Sequence, residues 1–154
     1  MPTKVQSKPA GYPSLTPYLI VREAARAIDF YKAAFGAVER MRLSRPGGRV
    51  GHAELAIGNS LVMLADESPE HGAMAPQPNQ VGPISLHLYV DDVDAVVHAA
   101  EAAGAKLVRP VETKFYGDRI GTIADPFGHV WHVSTHVEDV PLEEIERRAA
   151  ALSK

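Results

Sequence analysis

The sequence Arg-Ile-Gly at residues 119–121 repeats Arg-Val-Gly at residues 49–51, about 70 positions later in the chain. One such match can arise by chance, so an internal repeat requires further matching residues at the same offset. Three more pairs keep the same offset to within about two residues: Val21 and Val90, Gly36-Ala37 and Gly104-Ala105, and Gly58 and Gly128. Four matches in one register indicate an internal repeat.

Each half of the repeat is predicted to hold one strand, one helix and three further strands. The strands are apolar runs rich in β-formers, and each helix shows an apolar stripe followed by a glycine at the expected left-handed cap. The first half has strand 16–21, helix 23–35 and strands 37–43, 49–57 and 60–65. The second half has strand 84–90, helix 92–103 and strands 106–111, 119–124 and 130–135, and the tail has helix 141–151.

This element order predicts an α+β fold of two tandem βαβββ modules, which form a cupped, barrel-like mixed sheet with the helices outside. A polar, proline-containing arm is expected before the domain, and a helical tail after it. The proline-rich connector between the modules is predicted to be a mobile flap. The predicted segments are arm 1–14, domain 15–139, module one 15–66, connector 67–83, module two 84–139 and tail 140–154.

The composition excludes several classes of function. The chain of 154 residues contains no cysteine, which rules out thiol nucleophiles and disulfides and fits a cytoplasmic location. Its net charge is −3, and there is no basic stripe, so we expect no nucleic-acid partner. No apolar run approaches the roughly 20 residues that a membrane span requires, so we expect no membrane partner either.

Several motifs resemble one known family, the glyoxalase/bleomycin resistance protein/dioxygenase or vicinal oxygen chelate superfamily. They lie at 18–21, 27–31 and 34–37 in the first module, and at 90–95, 103–105 and 125–129 in the second. Phe-Tyr-Gly-Asp-Arg at 115–119, Asp-Pro-Phe-Gly-His-Val-Trp at 125–131 and Thr-His-Val-Glu-Asp at 135–139 are similar to the PhnB-like branch. The resemblance covers about 14–139 and implies a homodimer that binds a small molecule.

The resemblance also locates the four positions at which metal-dependent members carry their ligands. In this sequence they are occupied by Thr16, Ser85, His132 and either Val62 or Met63. Only His132 is a good ligand for a divalent cation, which prefers imidazoles and carboxylates. We therefore expect no metal at the usual positions and no other cofactor.

A shifted metal site is the alternative. Side chains alternate along a strand, so Ser85, His87 and Tyr89 share one face, while Ile84, Leu86, Leu88 and Val90 are expected to face the helices. A constellation of four residues could then hold a divalent metal: His52, Glu54, His87 and His132. The other interpretation is that the two histidines of the second module line a wet pocket, and that the pair in the first module faces solvent or an interface.

Further candidates follow from side-chain chemistry. We expect His87 and His132 to act as acid or base, with Tyr116 as a hydrogen-bond donor. Arg119 is a candidate anchor for a carboxylate or phosphate, oriented by Asp118, with the alternative that these two residues form a pair that stiffens the hairpin. The remaining predicted roles are ligand lining by Tyr18, Ile20, Tyr89 and Ser85, a turn brace at His129, and a core position at Trp131.

Three functions remain open at this point. The first is a metal-free protein that binds a small organic molecule in the sheet cup, as the lost ligand positions favour. The second is a lyase, isomerase or dioxygenase for a small oxygenated substrate, working through a shifted metal site or histidine acid–base chemistry. The third, a role in assembly or regulation, has no specific support in the sequence.

Overall fold

The computed structural model describes residues 4–153 and contains both modules. In module one, each predicted element is present with bounds that differ by about two residues or fewer. Its elements are β1 (Tyr18–Val21), α1 (Ala24–Phe35), β2 (Val38–Arg45), β3 (Arg49–Ile57) and β4 (Ser60–Asp66). Two short 3-10 turns, Pro46–Gly48 and Pro69–His71, follow β2 and β4.

Module two repeats this order, and a third helix follows it. Its elements are β5 (Ser85–Tyr89), α2 (Val93–Ala102), β6 (Lys106–Thr113), β7 (Asp118–Ala124), β8 (Val130–His136) and the tail helix α3 (Leu142–Leu152). Residues 1–3 of the predicted arm and residue 154 of the predicted tail lie outside the described residues. No helix among residues 4–153 is long and apolar enough to cross a membrane.

The two sheets have the same topology. The strand orders are β1-β4-β3-β2 and β5-β8-β7-β6, with one parallel pair and two antiparallel pairs in each sheet. The α+β, two-module fold is therefore confirmed, but the sheets do not close into a barrel. Helices α1 and α2 contact each other, and each packs on its own sheet, so helices join the two modules. Alternation along a strand defines the faces of a sheet, but it does not determine how two sheets are arranged.

Each helix begins against the last strand of its own module. In module one, the Ala24 N–H donates to Asp66 Oδ1 at 2.9 Å, and in module two the Val93 N–H donates to Thr135 Oγ1 at 2.9 Å. These bonds satisfy backbone donors that a helix leaves unpaired in its first turn. Helix α1 ends because Gly36 takes φ of 67°, which favours glycine.

A buried carboxylate connects the modules. Asp125 accepts hydrogen bonds from Tyr31 Oη at 2.6 Å and from Trp131 Nε1 at 2.9 Å, as well as from the backbone N–H groups of Phe127 and His129. Burial, and next the Asp125 charge, raise the pKa of Tyr31 well above its usual range, so this phenol remains a donor. Tyr31 belongs to α1, so the bond fixes the first module's helix to the second module's turn.

The predicted faces are mostly confirmed. Leu86 and Leu88 pack against the core, and Trp131 is buried within it. The prediction for Ile84 is wrong: its side chain is 77% exposed because it precedes β5 and is not part of the alternating strand. His129 spans between modules, since its ring donates to Ile20 O at 3.1 Å, whereas its backbone N–H braces the turn.

Candidate functional site

Each sheet carries polar side chains on the face opposite its helix. Core residues alternate with these side chains along β1, β3, β4, β5 and β8. The first polar face, on sheet β1-β4-β3-β2, consists of Tyr18, His52, Glu54 and Met63. The second polar face, on sheet β5-β8-β7-β6, consists of Ser85, His87, Tyr89, Thr122, His132 and Ser134.

The first polar face holds a chain of hydrogen bonds that ends on a carboxylate. Tyr18 Oη lies 2.9 Å from His52 Nδ1, and His52 Nε2 lies 2.7 Å from Glu54 Oε2. The other carboxylate oxygen, Glu54 Oε1, accepts from the hydroxyl of Tyr12, which belongs to the N-terminal arm. Strands β1 and β3 and the arm thus converge on one acidic side chain.

Glu54 is only 6% exposed, so its charge depends on these donors. The Tyr12 hydroxyl, and next His52, hold the pKa of Glu54 below its usual range. An ionised carboxylate only accepts, so His52 donates to Glu54 from Nε2, and in the neutral ring Nδ1 then accepts from Tyr18. In that form Tyr18 donates to His52, and His52 donates to Glu54.

The second polar face presents imidazoles. The ring of His132 lies between Thr122 Oγ1, 2.9 Å from Nδ1, and Ser85 Oγ, 3.0 Å from Nε2. His87 Nε2 lies 2.9 Å from Ser134 Oγ, and its ring centroid is 6.2 Å from that of His132. Hydroxyls can donate or accept, so both rings fit their surroundings in the neutral form.

Burial lowers the pKa of His132, and the proximity of His87 and Arg109 lowers it further. His132 therefore gains a proton at a lower pH than an ordinary histidine. A neutral imidazole can accept a proton, donate a hydrogen bond or position a ligand hydroxyl. These are the chemical capabilities of the second polar face.

A second carboxylate lies at the end of the second polar face. Asp118 accepts from Tyr89 Oη at 2.7 Å and from His136 Nδ1 at 2.7 Å, and His136 Nε2 donates to Asp139 at 2.7 Å. Burial raises the pKa of Asp118, but the bonds from His136 and Tyr89 outweigh it and bring the pKa below its usual value. Tyr116 lines the shallow cavity beside this network, and its role as a hydrogen-bond donor stays a prediction.

Arg119 lies elsewhere. Its side chain makes a two-pronged ion pair with Asp94 of α2, with Nε 2.7 Å from Oδ2 and Nη2 2.9 Å from Oδ1. The pairing of Arg119 with Asp118 is wrong, because Asp118 points to Tyr89 and His136 on the other face of β7. A role for Arg119 in ligand binding stays a prediction, and the geometry does not bring it to the second polar face.

The four positions at which metal-dependent family members carry ligands do not hold the residue types that a divalent cation prefers. The register pairs Tyr18 with Met63 and His87 with His132, so Met63 is the counterpart of His132 and Val62 is a core residue. Thr16, Ser85 and Met63 supply hydroxyls and a thioether, which do not fit a divalent cation. Among residues 4–153, no three acidic or histidine side chains cluster to hold a metal ion.

The alternative constellation is divided between the sheets. His52 and Glu54 lie together on the first polar face, whereas His87 and His132 lie together on the second. Sequence reasoning missed Tyr12 and Thr122 as site residues. Tyr12 is the one aromatic residue of the arm, which was the available signal, and Thr122 required the register of β7 against β8.

Comparisons with known proteins identify the family. Residues 13–133 match the profile described as the glyoxalase/bleomycin resistance protein/dioxygenase superfamily. An uncharacterized protein of Mycobacterium tuberculosis is 44% identical over 137 residues, covering 87% of this chain and 81% of the relative.

Solved structures agree with this match. TioX from Micromonospora sp. ML1 superposes with a TM-score of 0.62 at 26% identity, covering 80% of this chain and 98% of that one. A PhnB protein from Bacillus cereus has the same fold, with a TM-score of 0.60 at 19% identity, covering 80% of this chain and 99% of that one. The chain belongs to the glyoxalase/bleomycin resistance protein/dioxygenase superfamily.

Proposed function

We propose that this protein binds a small organic molecule against its polar sheet faces without a divalent metal. The observation that carries the proposal is the second polar face, where two imidazoles, three hydroxyls and a tyrosine lie together, and where the Asp118 carboxylate at the end of the face is already bonded to Tyr89 and His136. Such a surface offers directional hydrogen bonds and an aromatic wall, which is how small-molecule sites hold their ligands. The Asp118 carboxylate is engaged by Tyr89 and His136, and the remaining imidazoles and hydroxyls are not the set of oxygen anions that a hard divalent cation prefers.

A thermal-shift screen of metal-stripped protein tests this proposal, since a ligand that binds only the native state raises the melting temperature. We expect ligands from the screen to lose their shift in His87→Ala and His132→Ala. The matched control is His98→Ala, a histidine exposed on α2. Stoichiometric metal in purified protein that is lost in His132→Ala would overturn the metal-free proposal.

The proposal includes a homodimer, in which a second copy covers the polar faces. In one chain Tyr18 is 46% exposed and Tyr89 is 60% exposed, although each lies on a sheet face. Light scattering is expected to give twice the 16.6 kDa mass of the chain, and a monomer at micromolar concentration would contradict the expectation.

Catalysis is the second candidate, and the lowered pKa of His132 favours it. A base that is neutral near physiological pH can remove a proton from carbon next to a carbonyl group, which is a step in isomerase and lyase reactions. A ligand from the screen can be incubated with the protein in D2O. Deuterium uptake that His132→Ala abolishes supports catalysis, and uptake equal to that without protein contradicts it.

Two finer assignments belong to the same proposal. Placement in the PhnB-like branch is supported by the Phe-Tyr-Gly-Asp-Arg segment at 115–119 and the Asp-Pro-Phe-Gly turn at 125–128, which the fold places at the two ends of β7. A cytoplasmic location is supported by the cysteine-free composition.

A further inference from the structure

The N-terminal arm, residues 4–17, crosses the first polar face. It contains no strand or helix, and its turn is closed by a bond from the Tyr12 N–H to Pro9 O at 3.3 Å. The side chain of Tyr12 lines a cavity together with Glu54 and Met63. There its hydroxyl donates to Glu54. The arm therefore places one phenol on the carboxylate of the first polar face.

Glu54 requires a donor at this position. Its side chain is 7% exposed, and the groups that contact it are a neutral phenol and His52, which needs only one of its ring nitrogens for the bond. A buried carboxylate oxygen without a donor loses its hydration and gains no compensating hydrogen bond. The site thus selects for an O–H group that reaches Glu54 Oε1 from the open side of the sheet.

Tyr12 supplies this group from a lightly attached segment. Apart from the bond to Glu54, the Tyr12 residue is held by Lys8 Nζ on its carbonyl oxygen and by the turn bond to Pro9. None of these bonds belongs to the sheet, whose strands pair independently of residues 4–12. The strand pairing of the sheet therefore does not depend on Tyr12.

We infer that the first polar face is a binding site for an aromatic hydroxyl group, and that Tyr12 occupies it as an internal substitute for a phenolic ligand. This inference rests on the proposed small-molecule function and names the ligand class of one of its two faces. Glu54 accepts the phenol and His52 orients Glu54. Met63 lines the same cavity, where a thioether can make a favourable contact with an aromatic ligand.

The tether makes Tyr12 a competitor. A group on a short flexible segment reaches its site at an effective concentration in the millimolar range, so a free phenol must displace it. Removing the Tyr12 side chain should therefore increase the affinity for a phenol. The size of the gain measures how often Tyr12 occupies the site in the free protein.

Calorimetry with p-cresol, the side-chain analogue of tyrosine, tests the inference on the full chain. We expect Tyr12→Ala to bind p-cresol about tenfold more tightly than the unchanged protein, because the tethered competitor is gone. Val5→Ala, an exposed change in the same arm, should leave the affinity unchanged. Toluene, which lacks the hydroxyl, should not bind Tyr12→Ala.

A Tyr12→Ala, Glu54→Gln double variant should lose most of the gain, since the amide replaces a charge-assisted bond by a neutral one. A spectroscopic measurement on Tyr12→Ala alone does not require the double variant to fold. Bound to Tyr12→Ala, 4-nitrophenol should ionise at higher pH than in buffer, as Glu54 raises the pKa of Tyr12 itself.

Equal affinity of Tyr12→Ala and the unchanged protein for p-cresol would overturn the inference, and so would equal binding of toluene. Failure here is distinct from failure of the proposed function. Ligands whose thermal shift disappears in His87→Ala and His132→Ala would support binding on the second polar face, even if p-cresol fails on the first.

Discussion

The two modules have the same backbone plan, but they use it for different chemistry. The register places Tyr18, Met63 and Glu54 side by side across β1, β4 and β3. The corresponding set across β5, β8 and β7 is His87, His132 and Thr122. The first set centres on a buried carboxylate that the arm covers, whereas the second consists of imidazoles and a hydroxyl that are open to one side.

The difference shows which positions the fold constrains. In both modules the last strand supplies an acceptor for the first turn of the helix, Asp66 in one and Thr135 in the other. Arg49 begins β3, and Arg119 begins the repeated tripeptide within β7. Positions that point to the helices remain apolar in both. Positions on the polar faces vary freely between modules, so that is where function can be changed without loss of the fold.

The strongest test of the comparison removes the carboxylate that joins the modules. Asp125→Ala leaves the buried donors of Tyr31 and Trp131 without partners, so we expect the free energy of unfolding to fall by about 3 kcal/mol or more. Urea unfolding measures this change. Asp29→Ala, an exposed aspartate on α1, is the matched control. Equal losses in the two variants would show that Asp125 does not join the modules.

The helix caps provide the next test. Asp66 accepts from two backbone N–H groups, of Ala24 at 2.9 Å and Val50 at 2.7 Å, whereas Thr135 accepts from one, of Val93. We expect Asp66→Ala to cost about 2 kcal/mol and Thr135→Val about 1 kcal/mol in the free energy of unfolding. If Thr135→Val costs as much as Asp66→Ala, the caps of the two modules are energetically the same.

A pH-dependent difference should distinguish the second module. Asp118, and next Asp139, raise the pKa of His136 above its ordinary value of 6.5. A raised folded-state pKa contributes stability that is fully present below the unfolded pKa and is lost as pH rises through the folded pKa. The melting temperature of His136→Asn should therefore lie furthest below that of the unchanged protein at pH 5.5 and approach it at pH 8.5. A constant difference across this range would contradict the charged form of His136.

The smallest effect on the melting temperature is expected from replacing Arg49 or Arg119, which occupy corresponding positions in the two repeats. Arg119 pairs with Asp94 on the surface, and Arg49 donates to the carbonyl oxygen of Glu67. Exposed ion pairs contribute little and are screened by salt. We expect Arg119→Gln and Arg49→Gln to lower the melting temperature less than either cap variant, with only Arg119→Gln losing its effect in high salt.

The sequence predicted the repeat, the element bounds and the strand faces well, because glycine spacing and alternation are local signals. Leu86 and Leu88 are examples, since their position in an alternating run was sufficient. The failures have non-local causes. The separation of the sheets depends on how α1 packs on α2, and the partners of Asp118 depend on a β7–β8 register that no short pattern contains.

The candidate site was predicted in part. His87 and His132 come together as expected, because β5 and β8 pair in the parallel register. Tyr12 was not predicted, since an arm without periodicity contains no information about where it lies. The placement of Arg119 was also beyond the sequence, because its partner Asp94 is 25 residues away in the chain.

The bond between Tyr31 and Asp125 joins residues 94 positions apart in the chain, and the only tryptophan lies directly on it. Trp131 is 3% exposed, and its ring centroid is 4.7 Å from that of Phe35 of the first module. Its fluorescence should therefore shift when the two halves dock during refolding. Circular dichroism would follow the formation of each half, so the two signals together would show whether assembly within one chain is a separate kinetic step.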